Sequence, residues 1–327
     1  MTRRAHIRSI GSCVPSKVLT NAELEKMVET SDEWIRSRTG IRERHISGPD
    51  EYTSVIASRA SKTALERAGL TGSDLDMIIC ATISPDQPLP STGCLVQAQL
   101  GAGRAVAYDM AAACSGFLYG LTIADQFIKT GKYENILVIG VEVLSRYVDY
   151  TDRATCVIFG DGAGAAVVSP SSDDSGICAT EIRSDGSLAE FLFIPGGGTR
   201  YPATHASIDD RLHYIKMRGN ELFKVAVRNM CDVSARVIKD AGMSVDQVDL
   251  LVPHQANTRI NEAVRERLGV PPDKVYENID RIGNTSSASI PIALDELYTQ
   301  GRLKPGMNVL LTAFGAGVTW GAVLLKW

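Results

Sequence analysis

Aromatic residues make up only 6% of this chain of 327 residues, and neither sign of charge prevails: the net charge is -4. A near-neutral balance leaves no electrostatic footprint for nucleic acid or for an anionic membrane surface. No apolar run approaches the roughly 18 residues that a membrane-spanning helix needs. The first residues, MTRRAHIRSIG, are not followed by an apolar stretch of signal-peptide length, so neither export nor a membrane is expected. Cysteine is present but unpatterned. The seven cysteines are scattered, odd in number and never spaced CxxC, which argues against a disulfide framework and against a metal site of the zinc type. They fit a reducing, cytoplasmic setting. With 44% hydrophobic and 22% charged residues, the composition is that of a soluble globular protein, long enough for two domains or for one large domain in two halves.

What the chain does contain is an internal repeat. AGLTGSDLD begins at Ala68 and AGMSVDQVD at Ala241, an offset of 173 (241 − 68 = 173). The same offset carries Asn135, which opens NILVIG, onto Asn308, which opens NVLLTA (308 − 135 = 173). A shared offset at distant sites indicates a duplicated α/β half. Ile56, Ala60, Ala64 and Ala68 form one helical stripe ended by Gly69, and DMIICAT follows as a strand. Ala226, Met230, Val233, Val237 and Ala241 form the matching stripe ended by Gly242, with DLLVP as its strand. Near-continuous apolar strands between helices predict sheets covered on both faces. The halves are expected to span residues 1–175 and 176–327. The role of the loop PGGGTRYP, 195–202, is not legible.

The repeat also aligns polar residues. The first strand ends near Ala81, whose counterpart is His254 (254 − 81 = 173). Cys114 maps onto position 287, inside GNTSSAS and three residues from Asn284. In a pseudo-twofold protein these positions meet in the middle. Cys114 sits in DMAAACSGFLYG before a long apolar stretch, which predicts a buried helix with the cysteine at its N-terminus. There the free backbone N–H groups and the helix dipole would lower the thiol pKa. Taken alone, Cys114 is equally well a buried structural cysteine. His254 follows Pro253, which ends a strand and presents the imidazole, and by itself it is equally a hydrogen-bonded strand-end histidine. Asn284 alone reads best as a turn or N-cap residue. The combination, not any one residue, points to a site.

Those residues carry a family resemblance. DMAAACSGF, VPHQAN and GNTSSASIP resemble the three catalytic motifs of β-ketoacyl-acyl carrier protein synthase III, a condensing enzyme of the thiolase superfamily. The resemblance extends through TSDEWIRSRTGIRERH, PSTGCLVQAQLG, DRATCVIFGDGAGAAVV and FGAGVTWGAVLLKW, so it covers nearly the whole chain. It implies the α/β thiolase fold, two duplicated halves with pseudo-twofold symmetry layered α-β-α-β-α. It also implies a homodimer, no cofactor beyond the CoA thioester substrate, and the first condensation of fatty-acid synthesis. In that reaction acetyl-CoA, or another short acyl-CoA, and malonyl-acyl carrier protein give a 3-oxoacyl-acyl carrier protein, CO2 and CoA.

By the same resemblance Cys114 carries the acyl group, while His254 and Asn284 donate hydrogen bonds to the enolate left by decarboxylation. The backbone N–H groups of Cys114 and Ala316 form an oxyanion hole. Trp34, Arg38, Thr39, Arg153, Met217, Asn220, Phe223, Ala256 and Asn257 contact CoA. Gln255, Ala256, Asn257, Thr258 and Arg259 contact the carrier protein, Arg259 being the natural partner of an acidic surface. Leu89 lines the acyl pocket of the other subunit. Without the resemblance, Arg38, Arg42 and Arg44 read as a solvated basic run. Three other readings bear on the same residues. GDGAGAAV lacks the G-x-G-x-x-G spacing and the following helix of a dinucleotide fold. A cysteine hydrolase needs a watered site, whereas the alanine-rich setting of Cys114 favours keeping a thioester dry. A condensing enzyme of a polyketide or secondary-lipid pathway, with a different starter, fits the same residues.

Overall fold

The computed structural model describes residues 3–327. Its nine main strands are β1 Ala5–Cys13, β2 Met77–Ala81, β3 Val106–Met110, β4 Ile136–Val143, β5 Asp161–Pro170, β6 Gly176–Ser184, β7 Leu250–Pro253, β8 Asn308–Gly315 and β9 Thr319–Lys326. Five helices matter for the site: α1 Thr53–Ala68, α2 Gly116–Lys129, α3 Gly219–Asp240, α4 Thr258–Leu268 and α5 Ser289–Thr299. One sheet has the order β1-β5-β4-β2-β3 and the other β7-β8-β9-β6.

The 173-residue offset survives in the strand register. Met77 pairs with Ile136 in the parallel β2–β4 ladder, and Leu250 pairs with Val309 in the parallel β7–β8 ladder (250 − 77 = 173; 309 − 136 = 173). It survives in hydrogen bonds as well. The Asn135 side chain donates to Asp74 O and the Asn308 side chain to Gln247 O. Asp76 accepts from the amide of Asn135, and Asp249 accepts from the amide of Asn308.

Burial explains the layering. Every residue of β2 and β4 is buried, so both faces of the first sheet need a cover. The stripe Ile56, Ala60, Ala64 of α1 covers the outer face together with Ile78, Leu137 and Val167. Val233 and Val237 of α3 cover the outer face of the second sheet with Leu251, Leu310 and Leu324. Between the sheets lie α2 and α5, where Phe117, Leu121, Ile290 and Leu294 pack against residues of both. Each such side chain contributes about 1.5–3 kcal/mol on burial. The result is the α-β-α-β-α layering that the resemblance implies. Among the described residues no helix is long and apolar enough to cross a membrane.

Candidate active site

Each central helix is entered through a short 3-10 turn, and the first of these carries the sulfur. Ala113–Ser115 forms the turn before α2, with Ala113 at φ +45°. Cys114 is buried, at 7% exposure. Two contacts tie the turn to the last strand: Ser115 donates to Thr319 O at 3.1 Å, and Thr319 donates to Ala112 O at 2.8 Å. Gly315 passes so close that a Cβ there would lie 2.7 Å from the Cys114 nitrogen. A glycine keeps that amide open beside Ala316.

The expected drop in the Cys114 pKa is not found. Burial pushes the thiol up to about 12, and a hydrogen bond with the Ser286 side chain only partly offsets this. Desolvation penalises the thiolate more than one turn of helix dipole stabilises it. The resting group is therefore a thiol.

His254 follows the last residue of β7, which is the edge strand of its sheet, so Pro253 costs no ladder bond beyond it. The imidazole is 1% exposed, and burial lowers its pKa to about 3, which keeps it neutral. Its Nδ1 lies 2.6 Å from Ser289 Oγ, whose other neighbour is the donating amide of Gln255. The serine proton is therefore free for Nδ1, which assigns the remaining proton to Nε2. Asn284 is fixed in the same way. Its Oδ1 accepts from the Ser286 amide at 2.8 Å, leaving the side-chain NH2 free to donate. The two N–H groups are thus aimed by neighbouring residues of one segment, the turn Ser286–Ala288 and the first residue of α5.

Cavities connect these groups to the surface. A cleft of about 590 Å³ is lined by Trp34, Arg38, Thr39, Met217, Asn220, Phe223, Lys224, Asn257 and Arg259. Ile158, Met217, Gly219, Phe223 and Asn257 are shared with a narrower cavity of about 120 Å³ that also reaches Ala256, Cys114, His254 and Asn284. Beyond Cys114 lies an apolar cavity of about 310 Å³ bounded by Ile83, Leu144, Phe159, Leu192, Ile215 and Ala316. At the mouth, the Arg153 and Arg38 guanidinium carbons lie 4.7 and 5.8 Å from the Trp34 ring centre. Arg259 lies 5.6 Å from the ring of Phe223. Aromatic faces flanked by guanidinium groups suit a purine and its phosphates.

Several sequence readings change. Gln255 is 1% exposed, and its carboxamide donates to Pro253 O and Tyr276 O and accepts from the Asn278 amide. It braces the loop from inside and offers nothing to a docking protein. Arg44 is no part of a solvated run: it is fully buried and donates to Leu19 O, Asn21 Oδ1 and Val157 O. Leu89 is 84% exposed and lines none of these cavities, so any role in an acyl pocket requires a second copy of the chain. Sequence reasoning also missed residues. Ala189, Leu192, Phe193 and Ile194, just ahead of the loop 195–202, wall the inner cavity. Glu142, Ser286 and Ser289 were passed over. A glutamate inside the apolar strand ILVIGVEV was the one signal available for the first.

Comparison with known proteins adds a name to this geometry. The family model described as 3-oxoacyl-[acyl-carrier-protein (ACP)] synthase III matches residues 108–186, and the model of its C terminal matches residues 238–327. A β-ketoacyl-[acyl-carrier-protein] synthase III of Caldanaerobacter subterraneus is 53% identical over 323 residues, 99% of this chain and 98% of the relative. The crystal structure of 3-oxoacyl-[acyl-carrier-protein] synthase III from Aquifex aeolicus superposes with a TM-score of 0.91 at 50% identity, covering 99% of this chain and 100% of that one. A priming β-ketosynthase of a polyketide biosynthetic pathway superposes as well, with a TM-score of 0.92, at 33% identity over 99% of this chain and 97% of that one.

Proposed function

Because the chain belongs to the β-ketoacyl-[acyl-carrier-protein] synthase III family, we propose that it initiates fatty-acid synthesis by a two-stage condensation on Cys114. In the first stage Cys114 Sγ attacks the thioester carbon of a short acyl-CoA. The C–S bond to CoA breaks, and the acyl group stays on the enzyme. In the second stage malonyl-acyl carrier protein loses CO2, and the electron pair of the broken C–C bond moves into an enolate. Its oxygen receives hydrogen bonds from His254 Nε2 and the Asn284 side-chain amide. The enolate carbon then attacks the acyl-cysteine, whose oxygen is held by the backbone N–H groups of Cys114 and Ala316. Cys114 leaves as a thiolate and is reprotonated.

The observation that carries this reading is the continuity of the passage. It runs from Trp34, Arg38 and Arg259 at the surface, through His254 and Asn284, to Cys114 and an apolar chamber. CoA would lie along Trp34, Arg38, Thr39, Arg153, Met217, Asn220, Phe223, Ala256 and Asn257. The carrier protein would dock on Ala256, Asn257, Thr258 and Arg259. The reading includes a cytoplasmic homodimer, supported by the exposed apolar side chain of Leu89.

A second starter deserves a place beside acetyl. The inner cavity, at about 310 Å³, holds roughly ten volumes of about 30 Å³, the share of one liquid water. Acetyl fills a small part of it, which favours longer or branched starters and keeps a polyketide-type role in view. Intact-protein mass after mixing with a panel of acyl-CoAs tests both points, on wild type and Cys114→Ala. An acetyl increment on wild type alone supports initiation with acetyl-CoA. Selective labelling by longer chains moves the pathway. Labelling of the variant, or none at all, overturns the assignment.

A further inference from the structure

Glu142 is the one fully buried carboxylate beside the candidate site, and the condensation described above gives it nothing to do. It is the penultimate residue of β4 and has 0% exposure. Its oxygens accept from Ser84 Oγ at 2.6 Å, from the Ile83 amide at 3.1 Å, and from Thr82 Oγ1 at 3.3 Å. From the other half, Ser286 Oγ donates at 3.2 Å, and Ser287 Oγ lies 3.3 Å away with its proton directed mainly at Ala81 O, 2.9 Å from it. The titratable groups that face it are Cys114 on the α2 turn, Cys80 on β2 and Tyr147 after β4. No cation hydrogen-bonds to it among the described residues. A charge buried without a counter-ion is costly unless its ionisation is used.

Ser286 joins this carboxylate to the sulfur. It lines the inner cavity together with Cys114, acts to lower the pKa of the thiol, and donates its hydroxyl to Glu142. We propose that Glu142 takes the Cys114 proton through Ser286 and keeps it while the enzyme is acylated. Cys114 Sγ–H gives its proton to Ser286 Oγ as the Ser286 hydroxyl proton passes to Glu142 Oε1. The resulting thiolate forms the C–S bond to the acyl carbon, and CoA departs as a thiolate that takes a proton from water. When condensation later expels the Cys114 thiolate, the proton returns along the same path. Each turnover restores both groups, and the one proton that the overall reaction consumes is the solvent proton taken up by CoA. The electrostatics agree. Burial raises the Glu142 pKa to about 7, so acceptor and acid forms interchange near neutral pH, whereas an isolated buried thiol would stay protonated.

The proposal deepens the reading of Cys114 as acyl carrier, and its test does not depend on acyl-CoA. The rate at which iodoacetamide alkylates Cys114 would be followed by mass spectrometry from about pH 5 to about pH 9, a range spanning both groups. Wild type is expected to gain about ten-fold in rate through a limb near pH 7. Glu142→Gln and Ser286→Ala should both lose that limb and react about ten-fold more slowly above it. Glu142→Asp should retain it. If Glu142→Gln does not fold, Ser286→Ala, which leaves the carboxylate in place, decides the matter. An unchanged limb in either folded variant overturns the proposal, as does a uniform slowing with the limb preserved, which is what a purely structural role gives. Failure of wild type to accept any acyl group would sink the proposed function and leave this result standing.

Discussion

The two halves of the molecule are built alike and equipped differently. At the three positions that meet in the centre, the first half carries Ala81, Ala111 and Cys114, and the second carries His254, Asn284 and Ser287 at the same offset of 173 (254 − 81 = 173). The first supplies a sulfur among methyl groups, and the second supplies hydrogen-bond donors. The turns that present them share even their strain, with φ of +45° at Ala113 and +50° at its counterpart Ser286. A surviving trace of the symmetry crosses between the halves: Ser287 Oγ donates to Ala81 O at 2.9 Å, and the pseudo-twofold maps that pair onto Cys114 and His254. One centre is thus assembled from two equivalent places, with the thiol in one half and the imidazole and carboxamide donors in the other.

The sharpest way to break this division is to remove the donors. His254→Ala and Asn284→Ala should each slow the condensation step by about 100- to 1000-fold. Acylation of Cys114 by acyl-CoA, measured separately by rapid-quench mass analysis, should change little. Equal loss in both steps would mean that the second half also serves the first reaction. Next in size is Arg259→Glu, at the second half's side of the mouth. It should raise the KM for the carrier protein by about ten-fold and the KM for acyl-CoA far less. Equal effects would remove the docking role.

The halves should also part company in their response to pH. The second half's imidazole stays neutral down to about 3, so condensation by preacylated enzyme should hold within about two-fold between pH 7 and pH 5. Stability behaves otherwise. The folded pKa of His254 lies below the ordinary 6.5, so the term it contributes is complete above that value and is lost as pH falls toward about 3. Denaturant midpoints should therefore decline over that window before the condensation rate does. The smallest effect tests the likeness rather than the difference. Asp249→Ala removes the hydrogen bond accepted from the Asn308 amide, whereas Asp76→Ala removes those accepted from the amides of Asn135 and Glu134. The first should cost about 1 kcal/mol in chemical denaturation and the second about twice that, and equal losses would show that the extra bond contributes nothing.

The fold was legible because apolar periodicity and a repeat offset are properties of the chain itself. The α1 and α3 stripes, the glycines that end them and the DMIICAT and DLLVP strands all lie where the spacing puts them. The centre was legible through motif and offset together. Its supporting parts were not. Nothing in the run Arg38, Arg42, Arg44 separates a solvated arginine from a buried one held by two backbone carbonyls and the Asn21 side chain. Gln255 reads as surface because glutamine usually is, and only the fold reveals three backbone partners around it. The Cys114 pKa was misjudged because helix dipole is readable from sequence and desolvation is not.

Cys114 lies at the junction of two cavities rather than at the end of one. This arrangement governs traffic. On the proposed reaction, an acyl chain that turned inward on attachment would occupy the inner cavity and leave clear the passage toward Trp34 and Arg259. The departing thiol and the next arrival would then pass through the same space in turn, so the shape of the cavities by itself would favour one substrate at a time.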